Sequence, residues 1–115
     1  MFSLSYRCPV CGGTLAFCEN GFRCPQNHTF DLSREGYLNL ALGKSESGDD
    51  KEMSQSRHRF LAEGYYRPFA DALAGAVQKY APSLSALIDC GSGEGYYLRV
   101  LRESFPQASL FGVDL

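Results

Sequence analysis

No apolar run in this 115-residue sequence approaches the roughly 18 residues that a membrane-spanning helix requires, so an integral membrane protein built on helices is excluded. The first seven residues lack the long apolar stretch of an export signal, and the chain is expected to stay in the cytoplasm. Neither sign of charge dominates. Eleven Lys and Arg stand against 13 Asp and Glu, a net charge of −2, so the whole-chain field does not announce a nucleic-acid binder. A local basic patch can still act inside a near-neutral chain. Internal repeats and low-complexity tracts are also absent. What remains, at 44% hydrophobic and 21% charged residues, is the composition of a soluble globular protein. The length holds one ordinary domain or two small ones that each need help to fold.

Cysteine is the residue in excess. There are five, four of them within the first 24 residues, and a reducing compartment favours metal ligation over disulfides. Cys8, Cys11, Cys24 and His28 follow the pattern C-x2-C-x12-C-x3-H, two close ligand pairs able to clamp one tetrahedral zinc ion. Gly12 and Gly13 permit the sharp turn after the first pair. Three thiolates and an imidazole fill every coordination position and leave none for water, so the expected role is structural. About 40 residues cannot bury enough apolar surface to fold unaided, and zinc would contribute on the order of 10–16 kcal/mol. Cys18 falls between the pairs and is expected to be a bystander. His58 is most simply a surface residue among Arg57 and Arg59.

Three stretches are expected: a zinc-binding domain over 1–42, a linker and helix over 43–68, and an α/β segment over 69–115. In the first, Thr14–Cys18 and Phe22–Cys24 read as a hairpin around an Asn20-Gly21 turn. Residues 43–52 are almost wholly polar, with an acidic end suited to a helix N-terminus. Met53, Arg57, Phe60 and Leu61 then recur at helical spacing until Gly64. Phe69, Leu73, Ala76, Val77 and Tyr80 line a second helix that Pro82 stops. From Ala86 to Asp114 the pattern becomes strand, glycine loop, helix and strand, the opening of a βαβ unit.

The glycine loop carries the second piece of chemistry. Asp89 ends a buried strand, and Gly91, Gly93, Glu94 and Gly95 open the next helix. Glycines let the backbone turn tightly and approach a ligand. A dinucleotide site would follow G-x-G-x-x-G, but here the third glycine comes one position early and Tyr96 takes its place. Asp89 would repel a pyrophosphate, whereas a sulfonium cofactor with a free amino group tolerates it. S-adenosylmethionine therefore suits the loop better than a nicotinamide dinucleotide. Asp114, at the tip of the next strand, is placed to accept hydrogen bonds from a ribose.

The order of motifs resembles one family, the bacterial ribosomal RNA large-subunit guanine-N1 methyltransferases. The matching residues are the Cys8–Cys11 and Cys24–His28 pairs, Phe30-Asp31, Arg34 through Leu40 and Gly48-Asp49. They continue through Glu52-Met53, Arg57, Phe60-Leu61, Gly64, Tyr66, Pro68 and the run from Asp89 to Tyr97. The resemblance implies a small zinc ribbon or knuckle ahead of the first part of a Rossmann-like methyltransferase domain. It implies methyl transfer to guanine N1 in a hairpin of large-subunit ribosomal RNA, with the zinc domain sharing in RNA recognition and no membrane involved. By the same resemblance Tyr66 contacts the cofactor together with the Gly93–Glu94 turn, and Asp114 holds the ribose. The catalytic residues stay unassigned. The sheet begun here is incomplete, so a fragment inactive by itself is the expectation, and a homodimer is one way to cover its edges. The competing class is a non-catalytic zinc module gripping RNA or protein. In it Arg7, Arg23, Arg34, Arg57, Arg59 and Arg67 would meet phosphates, while Tyr6, Phe22 and Tyr37 stack on bases.

Overall fold

The computed structural model describes residues 5–43 and 50–115. These residues form two compact units, divided within the intervening segment. Most of the polar linker expected over 43–52 lies outside the described residues, as do Gly48 and Asp49.

The first unit is built on three short antiparallel strands, β1 (Ala16–Cys18), β2 (Gly21–Arg23) and β3 (Thr29–Asp31), in the order β1-β2-β3. The hairpin is present, but its turn is shifted by one residue from the expected one. Cys18 pairs with Gly21, so Glu19 and Asn20 make the turn, with Glu19 at φ 21°, and Gly21 begins the return strand. Gly21 is required for a different reason. It pairs with Asp31, and a Cβ there would strike the Phe30 carbonyl oxygen. β3 itself was not expected from the sequence, because three residues carry too little alternation to register as a strand. The core of this unit is small: Cys8, Leu15 and Cys24 are buried, with Cys11, Phe22, Phe30 and Leu40 packed around them.

The second unit opens with α1 (Lys51–Ala62), whose Asp50 side chain accepts the Met53 N–H at 2.8 Å and so caps the helix. The acidic linker end thus does what its composition suggested. α1 buries none of its residues. α2 (Arg67–Tyr80) starts with Pro68 in its first turn and buries Ala70 and Ala74. Then follow β4 (Ala86–Cys90), α3 (Tyr96–Ser104) and β5 (Ser109–Val113). β4 and β5 pair in parallel, Ala86 with Ser109 through Cys90 with Val113, as a βαβ crossover requires. The core is Ala74, Leu101, Phe105 and Ala108, enclosed by Val77, Leu84, Leu87, Leu98 and Leu110. Small residues on α2 let α3 come close, and that packing sets α3 over the two strands. The result is an α/β unit with a two-stranded sheet. Among the described residues no helix is long and apolar enough to cross a membrane.

Candidate zinc centre and cofactor loop

Two tight turns present the four donor residues of the first unit. In the first, the Cys8 N–H donates to the Gly13 carbonyl and the Gly12 N–H to the Cys8 carbonyl, both at 2.8 Å, with Gly12 at φ 71°. In the second, the Asn27 N–H donates to the Cys24 carbonyl at 2.9 Å and Asn27 takes φ 65°. Asparagine is among the few residues besides glycine that tolerate this conformation. The His28 N–H donates to the Cys24 sulfur at 3.3 Å. Such N–H···S bonds stabilise a thiolate and orient it, as the outer shell of a metal site does.

These turns bring one ligand atom each from Cys8, Cys11, Cys24 and His28 within 4.8 Å of one another. The Cys8 and Cys24 sulfurs lie 3.6 and 3.3 Å from His28 Nδ1, and the Cys11 and Cys24 sulfurs are 3.6 Å apart. Zinc bonds of ~2.3 Å to sulfur and ~2.1 Å to nitrogen give tetrahedral edges of about 3.5–3.8 Å, so the donor set fits the ion. Burial pushes the Cys8 thiol up, but the N–H groups of Cys11 and Val10 and the neighbouring thiols outweigh it and lower the group to about 7. For Cys11 the Gly13 N–H pulls downward, while burial and the adjacent Cys24 and Cys8 prevail and raise it. The neighbouring thiols are close enough to influence one another's ionisation, as donors crowded around one position do. Cys18 ends β1 outside this group.

In the second unit the glycine loop is stitched to the end of β5. The N–H groups of Gly91 and Ser92 donate to the Val113 carbonyl at 2.8 and 3.1 Å, and the Gly93 N–H donates to Asp114 Oδ2 at 2.6 Å. Gly91, Gly93 and Gly95 have φ of 79°, 53° and 80°, a region that side-chain-bearing residues avoid. Each of the three glycines therefore has a backbone reason to be there. Asp114 Oδ1 also accepts the Leu115 N–H at 2.7 Å. These two bonds, the Gly93 one foremost, hold the Asp114 carboxyl below the usual carboxylate range, and the nearby Arg57 guanidinium adds to them. Asp89 sits half-buried on β4 opposite Gly112, and its carboxylate makes no hydrogen bond or ion pair among the described residues. Tyr66 precedes α2 as its N-cap, with its ring edge-on to Phe60 at 5.8 Å.

Sequence reasoning missed His58. It is largely exposed, as expected of a surface residue, but its Nδ1 lies 2.6 Å from Glu94 Oε2. The other carboxylate oxygen of Glu94 accepts from Arg99 at 3.1 Å. Nothing local in the run Arg57-His58-Arg59 announces a partner 36 residues away. The arginine set of the competing reading is partly engaged as well. Arg67 is paired with Asp71 at 2.8 Å and Glu103 at 2.5 Å, and these partners hold it above its ordinary value. Phe22 is flanked edge-on by Tyr6 and Phe17, while Tyr37 is exposed.

A zinc-ribbon unit followed by the strand–glycine-loop–helix–strand opening of a Rossmann-like fold defines the class of this molecule. Residues 6–41 match the zinc-ribbon family model described as RlmA, N-terminal. A putative 23S rRNA (guanine-N(1)-)-methyltransferase of Micromonospora griseorubida is 35% identical over 128 residues, covering 95% of this chain and 43% of the relative. The 23S rRNA (guanine(748)-N(1))-methyltransferase of Streptomyces fradiae is 32% identical over 112 residues, covering 95% of this chain and 40% of its own length. A putative 23S rRNA (guanine-N(1)-)-methyltransferase, YxjB, of Bacillus subtilis strain 168 is 33% identical over 101 residues, with 84% and 36% covered. Residues 6–41 thus belong to the RlmA N-terminal zinc-ribbon family, the chain as a whole is similar to bacterial large-subunit ribosomal RNA guanine-N1 methyltransferases, and it spans about two fifths of the length of these relatives.

Proposed function

We propose that this chain supplies the zinc domain and the first half of the cofactor site of an S-adenosylmethionine-dependent methyltransferase acting on guanine N1 of large-subunit ribosomal RNA in the cytoplasm. The observation that carries this reading is the presence of both candidate sites in one chain that is 35% and 32% identical, over 95% of its length, to proteins named as 23S rRNA guanine-N1 methyltransferases. Cys8, Cys11, Cys24 and His28 hold one zinc ion, which fixes the ribbon over residues 1–42 so that it can take part in gripping an RNA hairpin. Residues 43–68 link it to the cofactor-binding part that begins at 69.

S-adenosylmethionine, when bound, supplies an activated methyl group on a sulfonium. The residues of this chain have positioning work. Gly91, Gly93 and Gly95 keep side chains out of the way so that the backbone of the Gly93–Glu94 turn can approach the ligand. Asp89 offers to the cofactor's ammonium group a carboxylate that has no partner among the described residues, Asp114 accepts from the ribose hydroxyls, and Tyr66 closes on the cofactor from the start of α2. Alignment of donor and acceptor is worth much of the acceleration when the leaving group is already activated. Guanine N1 must be exposed from its pairing and lose its proton.

Native mass spectrometry with S-adenosylhomocysteine tests the two sites together, and one zinc plus one cofactor adduct per chain is expected. The substrate is tested in cells lacking the protein that contains this chain. Primer extension on their large-subunit ribosomal RNA should lose one stop at an N1-methylguanine. Unchanged stops would overturn the assignment of the reaction.

A further inference from the structure

We infer that His58 is a positioning residue for the cofactor site: through Glu94 it clasps α1, and with it Tyr66, against the glycine loop. The inference rests on the reading of that loop as the S-adenosylmethionine site. The proposed site has two parts that come from different places in the chain. One is the loop from Gly91 to Gly95, fixed by its bonds to Val113 and Asp114. The other is Tyr66, which stands in the turn between α1 and α2.

α1 has no buried residue to anchor it, and the Phe60 ring holds it to the turn through contacts with Tyr65 at 5.4 Å and Tyr66 at 5.8 Å. Its connection to the loop is polar. His58 Nδ1 meets Glu94 Oε2 at 2.6 Å, and Arg57 lies close enough to Asp114 to lower that carboxyl. An ionised carboxylate only accepts, so the His58 bond places a hydrogen on Nδ1. Two neighbouring side chains of one helix, Arg57 and His58, thus lie near Asp114 at the end of β5 and Glu94 within the cofactor loop.

The Glu94 side chain is fully engaged by this arrangement. Its second oxygen takes Arg99 Nη2 at 3.1 Å, and Arg99 Nη1 also donates to the Glu94 carbonyl at 3.0 Å. With its carboxylate held by α1 and α3, Glu94 offers the ligand its backbone, and the direction of that backbone depends on the clasp. Glu94 is thereby assigned to shaping the turn rather than to touching the cofactor with its carboxylate.

The test is calorimetric titration of the zinc-loaded full chain with S-adenosylhomocysteine, comparing the natural sequence with His58→Ala, His58→Arg, Glu94→Gln and the His58→Ala/Glu94→Gln double variant. For an exposed polar clasp His58→Ala is expected to weaken binding by about three- to fivefold. His58→Arg, which keeps a donor, should recover most of the loss. In the Glu94→Gln background the His58→Ala penalty should shrink, since the two residues act as a pair. Full affinity in His58→Ala, or an undiminished penalty in the Glu94→Gln background, would overturn the inference. Absence of binding by the natural sequence would show instead that this half of the cofactor site does not bind the ligand alone. Amide exchange in the unliganded chain then decides the clasp on its own: α1 should exchange faster in His58→Ala and not in His58→Arg, and identical protection in all three would refute it.

Discussion

At the scale of single residues, Asp114 and the two close-set ligand pairs have the sharpest consequences. The folded Asp114 carboxyl lies below its unfolded value because the Gly93 and Leu115 N–H groups donate to it. It therefore contributes stability at pH values above the ordinary carboxylate range near ~4, and that contribution is lost as pH falls through the folded value. Asp114→Asn should flatten the acid limb of a melting-temperature-against-pH profile of the chain. An unchanged acid limb would mean that the Gly93 bond carries no stability. Of the five thiols, Cys24 is buried at the centre of the donor cluster and Cys18 is not part of it. Cys24→Ser should abolish the bound zinc, whereas Cys18→Ser should retain one ion per chain, as read by metal analysis of the purified proteins.

Elements in this chain are short, and their stability comes from close approach rather than length. The three strands of the ribbon have three residues each. Gly21 lets β3 lie across β2, because any Cβ there would collide with the Phe30 carbonyl oxygen and Asp31 Cα. Gly21→Ala should cost about 1–3 kcal/mol of ribbon stability, the range of an overpacked site, in denaturant unfolding of the zinc-loaded chain. The hairpin was legible from Glu19-Asn20-Gly21, but its register was not. An Asn-Gly pair signals a two-residue turn, and that signal was overruled by β3, which needs the glycine inside the sheet. The α/β elements were read more closely. α2 ends before Pro82 as expected, and β4, α3 and β5 follow between Ala86 and Asp114 in the expected order, since their apolar patterns are sustained and the glycines mark the loop between them.

Taken whole, the molecule divides its stability between two kinds of core. The second unit has Ala74, Leu101, Phe105 and Ala108 under a shell of Leu and Val. In the first, two of the three buried core residues are cysteines. Hydrophobic burial on that scale does not offset the chain entropy of about 40 residues, so the ion must. Chelation should therefore collapse the amide resonances of residues 5–43 toward random-coil positions, and one equivalent of zinc should restore them. Retention of the dispersed ribbon spectrum without metal would show that the fold does not depend on it.

Legible in the sequence by itself were the candidate donor set, the glycine loop and the resemblance to a family. Each is local, a fixed spacing of residue types whose chemistry is the same wherever the chain places them. The spacing of Cys8, Cys11, Cys24 and His28 alone suits a tetrahedron, because two knuckle turns have few ways to close. Only the tertiary structure shows which partners His58, Glu94 and Gly21 meet. His58 reads as a surface residue on an exposed helix until α1 is seen beside a loop 36 residues further on. Glu94 reads from the sequence as part of the turn that meets the cofactor, and the structure adds that its two carboxylate oxygens meet His58 and Arg99. A pairing between distant segments has no sequence period, so it becomes visible when the packing of α3 over β4 and β5 has set the loop in place.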